Sequence, residues 1–346
     1  MTNRLADSLT LELCSPATLN AETIHRWKFL QRNNPNCSTP YLRPEWVQML
    51  DVVLGRVEVA ILRRGDAIVG FFPFERVEPQ AAGPVGGPLN DGDGMVLDSE
   101  VEVNLRHLLQ LCNIRTWTFG HCAENTPAVL PYVTRARESA HINLSRGFET
   151  YRESREKCGT AVFKTSDRKS RKLSREIGEV QFELASMDED VVDKLVKWKS
   201  VHLQRAGLED AFQAAPWIAS LLKQLNVYQS VEFSSVLSTL RVRNHLVAAH
   251  WGLRCGELFV SGVPAYDPEY GAYSPGLILT TRMIEQAAAT GVTDLELGLG
   301  LNQMKVSMMT HTMPLVAGVV DASSARHLAR VTRRCTGDIL SRLYRA

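Results

Sequence analysis

Apolar residues along this chain recur in blocks of two kinds, one near the helical period and one alternating. In the first half, helical spacing predicts helices at Ala21–Gln31 and Pro44–Leu54. Alternating runs predict strands at Val57–Arg63 and Ala67–Arg76, with Arg64-Gly65-Asp66 as the turn between them. A stretch rich in Gly, Pro and Asp runs from Gly83 to Gly94, before a helix at Val101–Cys112 and a short strand at Arg115–Phe119. The second half repeats this order. Val191, Leu195 and Trp198 sit at i, i+4 and i+7 in a predicted helix, Asp188–Arg205. A second helix, Ala214–Leu225, has Pro216 near its start, where a missing N–H costs nothing. Strands are expected at Glu232–Arg241, Leu246–Arg254 and Glu257–Pro264, divided by Arg243-Asn244 and Cys255-Gly256. Then come a loop (Tyr266–Gly276), a helix (Leu277–Thr290) stopped by Gly291, and strands Val292–Leu297 and Leu315–Val320. An Arg-bearing helix is expected over Ser324–Tyr344. One order of elements occurring twice predicts an α/β (α+β) chain made by duplication. The expected division is an N-terminal lobe over 1–150, a basic helical connector over 151–180 and a C-terminal lobe over 181–346.

Charge changes this picture only locally. The 346 residues carry 39 Lys+Arg and 38 Asp+Glu, a formal net charge of +1, which argues against a globally basic binder of nucleic acid. Between Arg152 and Arg175, however, nine basic residues face three acids, a local charge of 9 − 3 = +6. That segment reads either as a surface for phosphates or as a solvated helix face. No apolar run reaches the ~18 residues that suggest a membrane span. Met1–Leu13 carries Arg4, Asp7 and Glu12 and has no secretory pattern, so a cytoplasmic location is expected. The seven cysteines form no C-x-x-C pair and the histidines are scattered, so no metal is expected.

The chemistry concentrates between Tyr266 and Lys305. In Tyr273-Ser274-Pro275-Gly276-Leu277, Ser274 reads as an N-cap, Pro275 as the first helical residue, and Gly276 as a point of close backbone approach. Amides at such a helix start can cradle phosphate, although the same five residues also describe an ordinary capped helix. In Asp294-Leu295-Glu296-Leu297-Gly298-Leu299-Gly300, alternation sends both acids to one face. Such a pair is either a proton-transfer site or a solvent-facing edge. Gly298 and Gly300 either make room for a ligand or mark a bulge. In the first half, Asp91 and Asp93 are a candidate acidic pair or turn residues, and His121-Cys122 has no partner at catalytic spacing.

Taken together, these residues resemble the GNAT-like acetyltransferases of the cellulose-biosynthesis CelD type, related in fold to the FemAB aminoacyl transferases. Asp267-Pro268 with Tyr270, Tyr273 to Gly276, Ile284 to Ala288 with Gly291, and Glu296-Leu-Gly298-Leu-Gly300 with Lys305 carry the resemblance. Earlier matches are Gly70 to Phe74, Gly86 to Asp91 with Gly94, and Lys199 to Asp210 followed by Trp217. The likeness spans about residues 40–320. Three positions depart from the family pattern. Glu296 replaces the usual Asp, Met304 replaces the usual Tyr before Lys305, and no Trp follows Lys305.

The resemblance implies two tandem GNAT-like lobes, each a mixed sheet flanked by helices. It implies acyl transfer from acyl-CoA, most simply acetyl-CoA, to an amine or hydroxyl of a small-molecule or saccharide acceptor. Exopolysaccharide, cellulose or cell-envelope synthesis is the expected setting. The donor's pyrophosphate would lie on Tyr273, Ser274, Pro275, Gly276 and Leu277, and its pantetheine between strands Glu257–Pro264 and Val292–Leu297. Glu296 is the first candidate base and His250 the second, with Lys305 beside an acidic acceptor or the donor phosphates. Asp91, Asp294, Gly298 and Gly300 are the expected acceptor-side residues. The alternatives are a FemAB-like transferase that uses aminoacyl-tRNA, supported by the basic segment, and a non-catalytic binding or assembly protein.

Overall fold

A computed structural model describes residues 9–323. The expected helix at Ser324–Tyr344 lies outside them. The first elements are β1 (Leu9–Cys14), α1 (Ala21–Asn33), α2 (Pro44–Leu54), β2 (Val57–Arg64), β3 (Ala67–Glu78), β4 (Ala81–Gly83), β5 (Val96–Leu97), α3 (Leu105–Leu111) and β6 (Thr116–Ala123). Next come β7 (Val133–Asn143), α4 (Phe148–Lys157), α5 (Val162–Glu176), β8 (Val180–Glu183), α6 (Glu189–Arg205), α7 (Ala211–Ala214) and α8 (Trp217–Val227). The last are β9 (Ser234–Val242), β10 (His245–Cys255), β11 (Leu258–Tyr266), α9 (Pro275–Ala289), β12 (Asp294–Leu299), α10 (Gln303–Met308) and β13 (His311–Asp321). Predicted elements mostly shift by a few residues. α3 starts at Leu105 because Asn104 caps it, its side chain accepting from the N–H of His107 at 3.2 Å.

The chain forms two compact units. One runs to Arg137 and resumes at Leu315, and the other is Glu138–Pro314. The basic stretch 151–180, expected as a connector, lies within the second unit. There α5 rests on α9, burying Phe163, Ser166 and Leu173 and bonding Ser166 Oγ to Thr281 Oγ1 at 2.6 Å. Its cations point outward among their own acids, with Arg152 on Asp167 at 2.7 Å and Lys172 3.9 Å from Glu176.

Both units have one strand order. In the first it is β1-β2-β3-β4-β6-β13, and in the second β8-β9-β10-β11-β12-β7. In each, a meander leads to a parallel pair joined by a helix, β4 with β6 and β11 with β12. In each, the last strand is antiparallel and comes from the far side of the other half. β7 follows β6 in sequence but pairs with β12, while β13 follows β12 but pairs with β6. The duplication expected from the element order is therefore present, with the closing strands exchanged.

The first unit's core packs Phe72, Phe74, Trp117 and Phe119 against Leu105, Leu108 and Leu109 of α3. Trp27 stacks on Phe71 at 4.5 Å. In the second unit, Met283, Ile284 and Ala287 of α9 pack on Phe259, Leu295, Leu297, Ala140 and Ile142. Strand alternation then sends Ser139, His141, Asp294 and Glu296 to the opposite face.

Two irregularities open the second unit's sheet. β11 and β12 pair only at Leu258–Asp294, Phe259–Leu295 and Val260–Glu296. Beyond Val260, β11 carries an extra residue against β10, because Trp251 pairs with Val263 while Gly252 pairs with Ser261. A Cβ on the extra residue, Gly262, would lie 2.9 Å from both the Trp251 ring and the Trp251 carbonyl. On β12, Gly298 adopts φ 77°, where only glycine is unstrained, and the register against β7 shifts between Glu296 and Leu299. The strands therefore diverge past Val260 and Glu296, leaving a wedge. Gly262→Ala should lower unfolding stability by about 1–3 kcal/mol through overpacking, read as a lower urea midpoint with an unchanged slope.

Candidate active site

The wedge begins beside a buried carboxylate. Glu296, 8% exposed, accepts a 2.6 Å hydrogen bond from the Ser139 hydroxyl. It lies directly opposite His141 across the β7–β12 register. The sequence left open a solvent-facing edge for Asp294 and Glu296, but β12 is interior, with β11 on one side and β7 on the other. Burial raises the Glu296 pKa above the ordinary carboxylate range. The His141 charge, the Ser139 hydrogen bond and the Lys305 charge oppose the rise, and Asp294 adds to it. His141 Nδ1 donates to Asp294 Oδ2 at 2.9 Å. Burial depresses the imidazole, but that hydrogen bond and the charges of Glu296 and Asp294 outweigh it, so the His141 pKa sits above its usual value. Acid and imidazole thus stand side by side across two strands, an arrangement chemically able to exchange a proton.

The other end of the wedge is the start of α9. Residues 268–273 form a 3₁₀ turn capped by Asp267, which accepts from the N–H of Glu269 at 3.0 Å. Ser274 stands at the N-cap, as expected, but with left-handed backbone (φ 54°, ψ 54°) and no capping bond from its side chain. A non-glycine residue held there costs roughly 1 kcal/mol or more, and such strain gathers at functional sites. Pro275 is the first helical residue, and Leu277 N–H bonds back to the Ser274 carbonyl at 3.0 Å. Tyr273 points away from this helix end, its hydroxyl donating to Glu176 at 3.1 Å with Lys172 5.4 Å from its ring centroid. Lys169 donates to the Ala272 carbonyl at 2.7 Å. Gly276 faces Tyr266, whose ring would be 3.4 Å from a Cβ there. Tyr266 also meets the His202 ring of α6, with centroids 4.5 Å apart and planes tilted at 45°.

The remaining expected residues divide between the two units. His250 is 1% exposed, donates or accepts at Ser261 Oγ over 2.8 Å, and packs against Phe259. Burial, helped by the Lys199 charge, pushes its pKa down to about 3, which favours the neutral ring. Lys305 donates to the carbonyls of Gly298 and Leu299 at 3.0 and 2.6 Å, clipping the end of β12. Gly300 sits just past that strand with φ 78°. Asp294 is engaged with His141. Asp91 and Asp93 belong to the first unit. Asp93 is buried and accepts from the N–H groups of Gly120 and His121 at 2.7 and 3.0 Å, a structural tie. Asp91 lies 3.7 Å from His121, a pairing that sequence spacing did not reveal. Burial depresses the His121 pKa.

Sequence reasoning missed Ser139, His141, His202 and His311. Ser139 and His141 lie on β7, whose Arg135, Arg137 and Glu138 hide its alternation. His202 fell within a recognised stretch but had no mark of its own. No helix among the described residues is long and apolar enough to cross a membrane.

Comparison with known proteins agrees with this geometry. Residues 161–306 match the family described as acetyltransferase (GNAT) domain. No curated protein sequence matches the chain. Among solved structures, FemX shares 11% identity at a TM-score of 0.57, over 92% of this chain and 99% of that one. The C-terminal domain of a putative lysylphosphatidylglycerol synthetase from Agrobacterium fabrum shares 12% at 0.55, over 91% and 95%. A tandem GNAT protein from the clavulanic acid biosynthesis pathway shares 10% at 0.52, over 91% and 99%. At these identities the likeness is one of fold. Residues 161–306 thus match a GNAT acetyltransferase domain, and the chain as a whole shares its fold with a tandem GNAT protein.

Proposed function

We propose that the second unit transfers an acyl group from acyl-CoA, most simply acetyl-CoA, to an amine or hydroxyl acceptor. The observation that carries this reading is the wedge between β11 and β12, with the start of α9 at one end and Glu296 at the other. The donor's pyrophosphate would lie at the start of α9 against the Gly276 N–H, since Pro275 has none and Leu277 spends its own on Ser274, and there the helix dipole favours negative charge. The pantetheine arm lies in the wedge as a third strand would, because β11 beyond Val260 has no β12 partner. Main-chain N–H groups in the bulged stretch Ser261–Val263 then face the thioester carbonyl and stabilise the oxyanion. The acceptor's lone pair attacks the carbonyl carbon, Glu296 takes the acceptor's proton, and the C–S bond breaks to release CoA. His141 and Ser139 set the basicity of Glu296. The departures from the CelD pattern at Glu296 and Met304 fit a chain whose longer carboxylate, rather than a tyrosine, handles the proton. An acceptor in exopolysaccharide or cell-envelope synthesis is the setting the resemblance supports.

The aminoacyl-tRNA reading draws on two observations. FemX and the lysylphosphatidylglycerol synthetase domain are fold neighbours, and α5 presents Arg168 and Arg171 on its exposed side. It requires salt-sensitive tRNA binding, with log affinity falling linearly against log salt.

Acetyl-CoA at 100 times its dissociation constant should stabilise the chain by about 2.7 kcal/mol, seen as a higher melting temperature. No shift with acetyl-CoA or longer acyl-CoAs, alongside a shift with charged tRNA, would replace the first reading by the second. Glu296→Gln should lower kcat by about 10²–10⁴-fold. Its stability at neutral pH should rise. A carboxyl whose folded pKa lies above its unfolded value gives stability that is present at low pH and lost as pH climbs through the folded pKa. The variant's advantage should therefore vanish as pH falls below about 4.5, the ordinary value. Equilibrium unfolding across pH measures it, and a variant equally active, or less stable at pH 7, would count against Glu296 as the buried base.

A further inference from the structure

We propose that His141, Asp294 and His311 form a binding site for a divalent transition-metal ion of the zinc type, next to Glu296. One ligating atom from each of the three lies within 4.8 Å of the others. The two imidazoles are neighbours, with ring centroids 5.4 Å apart and planes inclined at 38°. Two histidines and one carboxylate make a mixed nitrogen and oxygen set, which suits zinc, cobalt or nickel better than calcium or magnesium. Three protein ligands leave a fourth position open.

Three observations go beyond proximity. First, Asp294 uses Oδ2 for His141, while Oδ1 is buried and has no hydrogen-bond partner. An enclosed carboxylate oxygen without a donor is what a cation would satisfy. Second, His311 is oriented from behind. Thr310 Oγ1 lies 2.9 Å from His311 Nδ1, 2.9 Å from the Asn143 N–H, and 3.2 Å from the His141 carbonyl. With its single proton on that carbonyl and the Asn143 N–H donating to it, the hydroxyl keeps one lone pair. The hydroxyl then accepts from His311 Nδ1–H, which leaves Nε2 with a free lone pair. This is the outer-shell tether that metal-binding histidines typically have. Third, Thr310 is itself pinned, its N–H donating to the same His141 carbonyl at 2.8 Å. His141 and His311 therefore hang from one shared backbone point.

Metal bonds of about 2.0–2.1 Å set tetrahedral ligand separations near 3.3 Å. His141 Nδ1 and Asp294 Oδ2 stand 2.9 Å apart across a proton that a metal ion bound between them would displace, with Oδ1 open beside them. The remaining closure falls to His311, which is exposed and stands at the first residue of β13. No spacing rule could have found this site, because its ligands are scattered through the sequence and only strand register gathers them. A cation here would add positive charge beside Glu296 and favour its ionised form. The proposal does not depend on acyl transfer, since metal binding is read directly.

The test uses the full chain, stripped with a chelator and titrated with Co²⁺. Visible absorption bands should appear and saturate at one Co²⁺ per chain, and Zn²⁺ should bleach them. His311→Ala should weaken Co²⁺ binding at least tenfold, and Thr310→Val about tenfold by freeing the imidazole. Both variants should keep the metal-free circular dichroism spectrum, with His311→Ala also keeping the melting temperature and Thr310→Val lowering it slightly through the lost hydroxyl bonds. Absence of saturable Co²⁺ binding below about 1 mM, or binding that both folded variants leave unchanged, would overturn the site. If His311→Ala misfolds, Thr310→Val and His311→Gln decide the matter by the same titration.

Discussion

Three residue pairs hold β11 against β12, and the opening in the second unit depends on their number being so small. A longer parallel pairing would close the sheet and leave nothing for a ligand to occupy. A shorter one would lose the support that α9 needs to cross between the strands. Gly262 on one arm and Gly298 on the other fix where pairing stops, one through the absence of a Cβ beside Trp251 and the other through its backbone conformation. The strands thus separate where Glu296 stands, and where α9 begins at the other end of its crossover. The start of α9 and Glu296 are brought to one opening by backbone geometry.

The polar groups at that opening carry a cost in a buried setting. Glu296 is enclosed, and its ionised form depends on a hydroxyl, an imidazole and an ammonium arranged around it. Asp294 spends one oxygen on His141 and leaves the other unsatisfied. A core assembled for stability alone would place apolar residues here, as the α9 face of the same strands does with Leu295 and Leu297. The two faces of β12 thus differ, one packed with apolar residues and the other carrying hydrogen-bonded acids. His250, polar and buried on a neighbouring strand, differs in kind. It has one partner in Ser261, an aromatic neighbour in Phe259 and no acid, so burial holds it neutral.

Much of the fold was legible where pattern was strong and local. Pro44–Leu54 was read to the residue, and strands 57–63, 67–76 and 246–254 were each read within a residue or two. Alternation put Asp294 and Glu296 on one face, and the family resemblance marked Glu296. What escaped was long-range or masked by charge. β7 looks like a loop because three of its positions are charged, yet it supplies Ser139 and His141. β1 and β8 are short and half-exposed, with little apolar signal. The basic stretch was legible as charge and as helix, but not as two helices inside the second unit, since their apolar positions are few: Tyr151, Phe163 and Leu173 are the large ones buried. Ser274 was placed at the right cap for a reason its backbone does not follow.

The exchanged closing strands bear on how the chain is made. Ser139 and Glu296, hydrogen-bonded in the second unit, are 157 residues apart in sequence, and Thr116 and Asp321, bonded in the first, are 205 apart. Neither sheet can be completed from a contiguous half of the chain. A ribosome that has finished the first half has made β7 but not its partner β12, and has made β6 but not its partner β13. The first unit must wait with an open strand edge until nearly the whole sequence has emerged, and open edges invite wrong pairings. Contacts of such sequence separation slow folding, because long loops must close before the pairing rewards them. A gene fragment cut to the matched domain, 161–306, would lose β7 and with it half of the groups around Glu296. The duplication that made two lobes has thus tied them into one folding problem, in which each half holds the other's last piece.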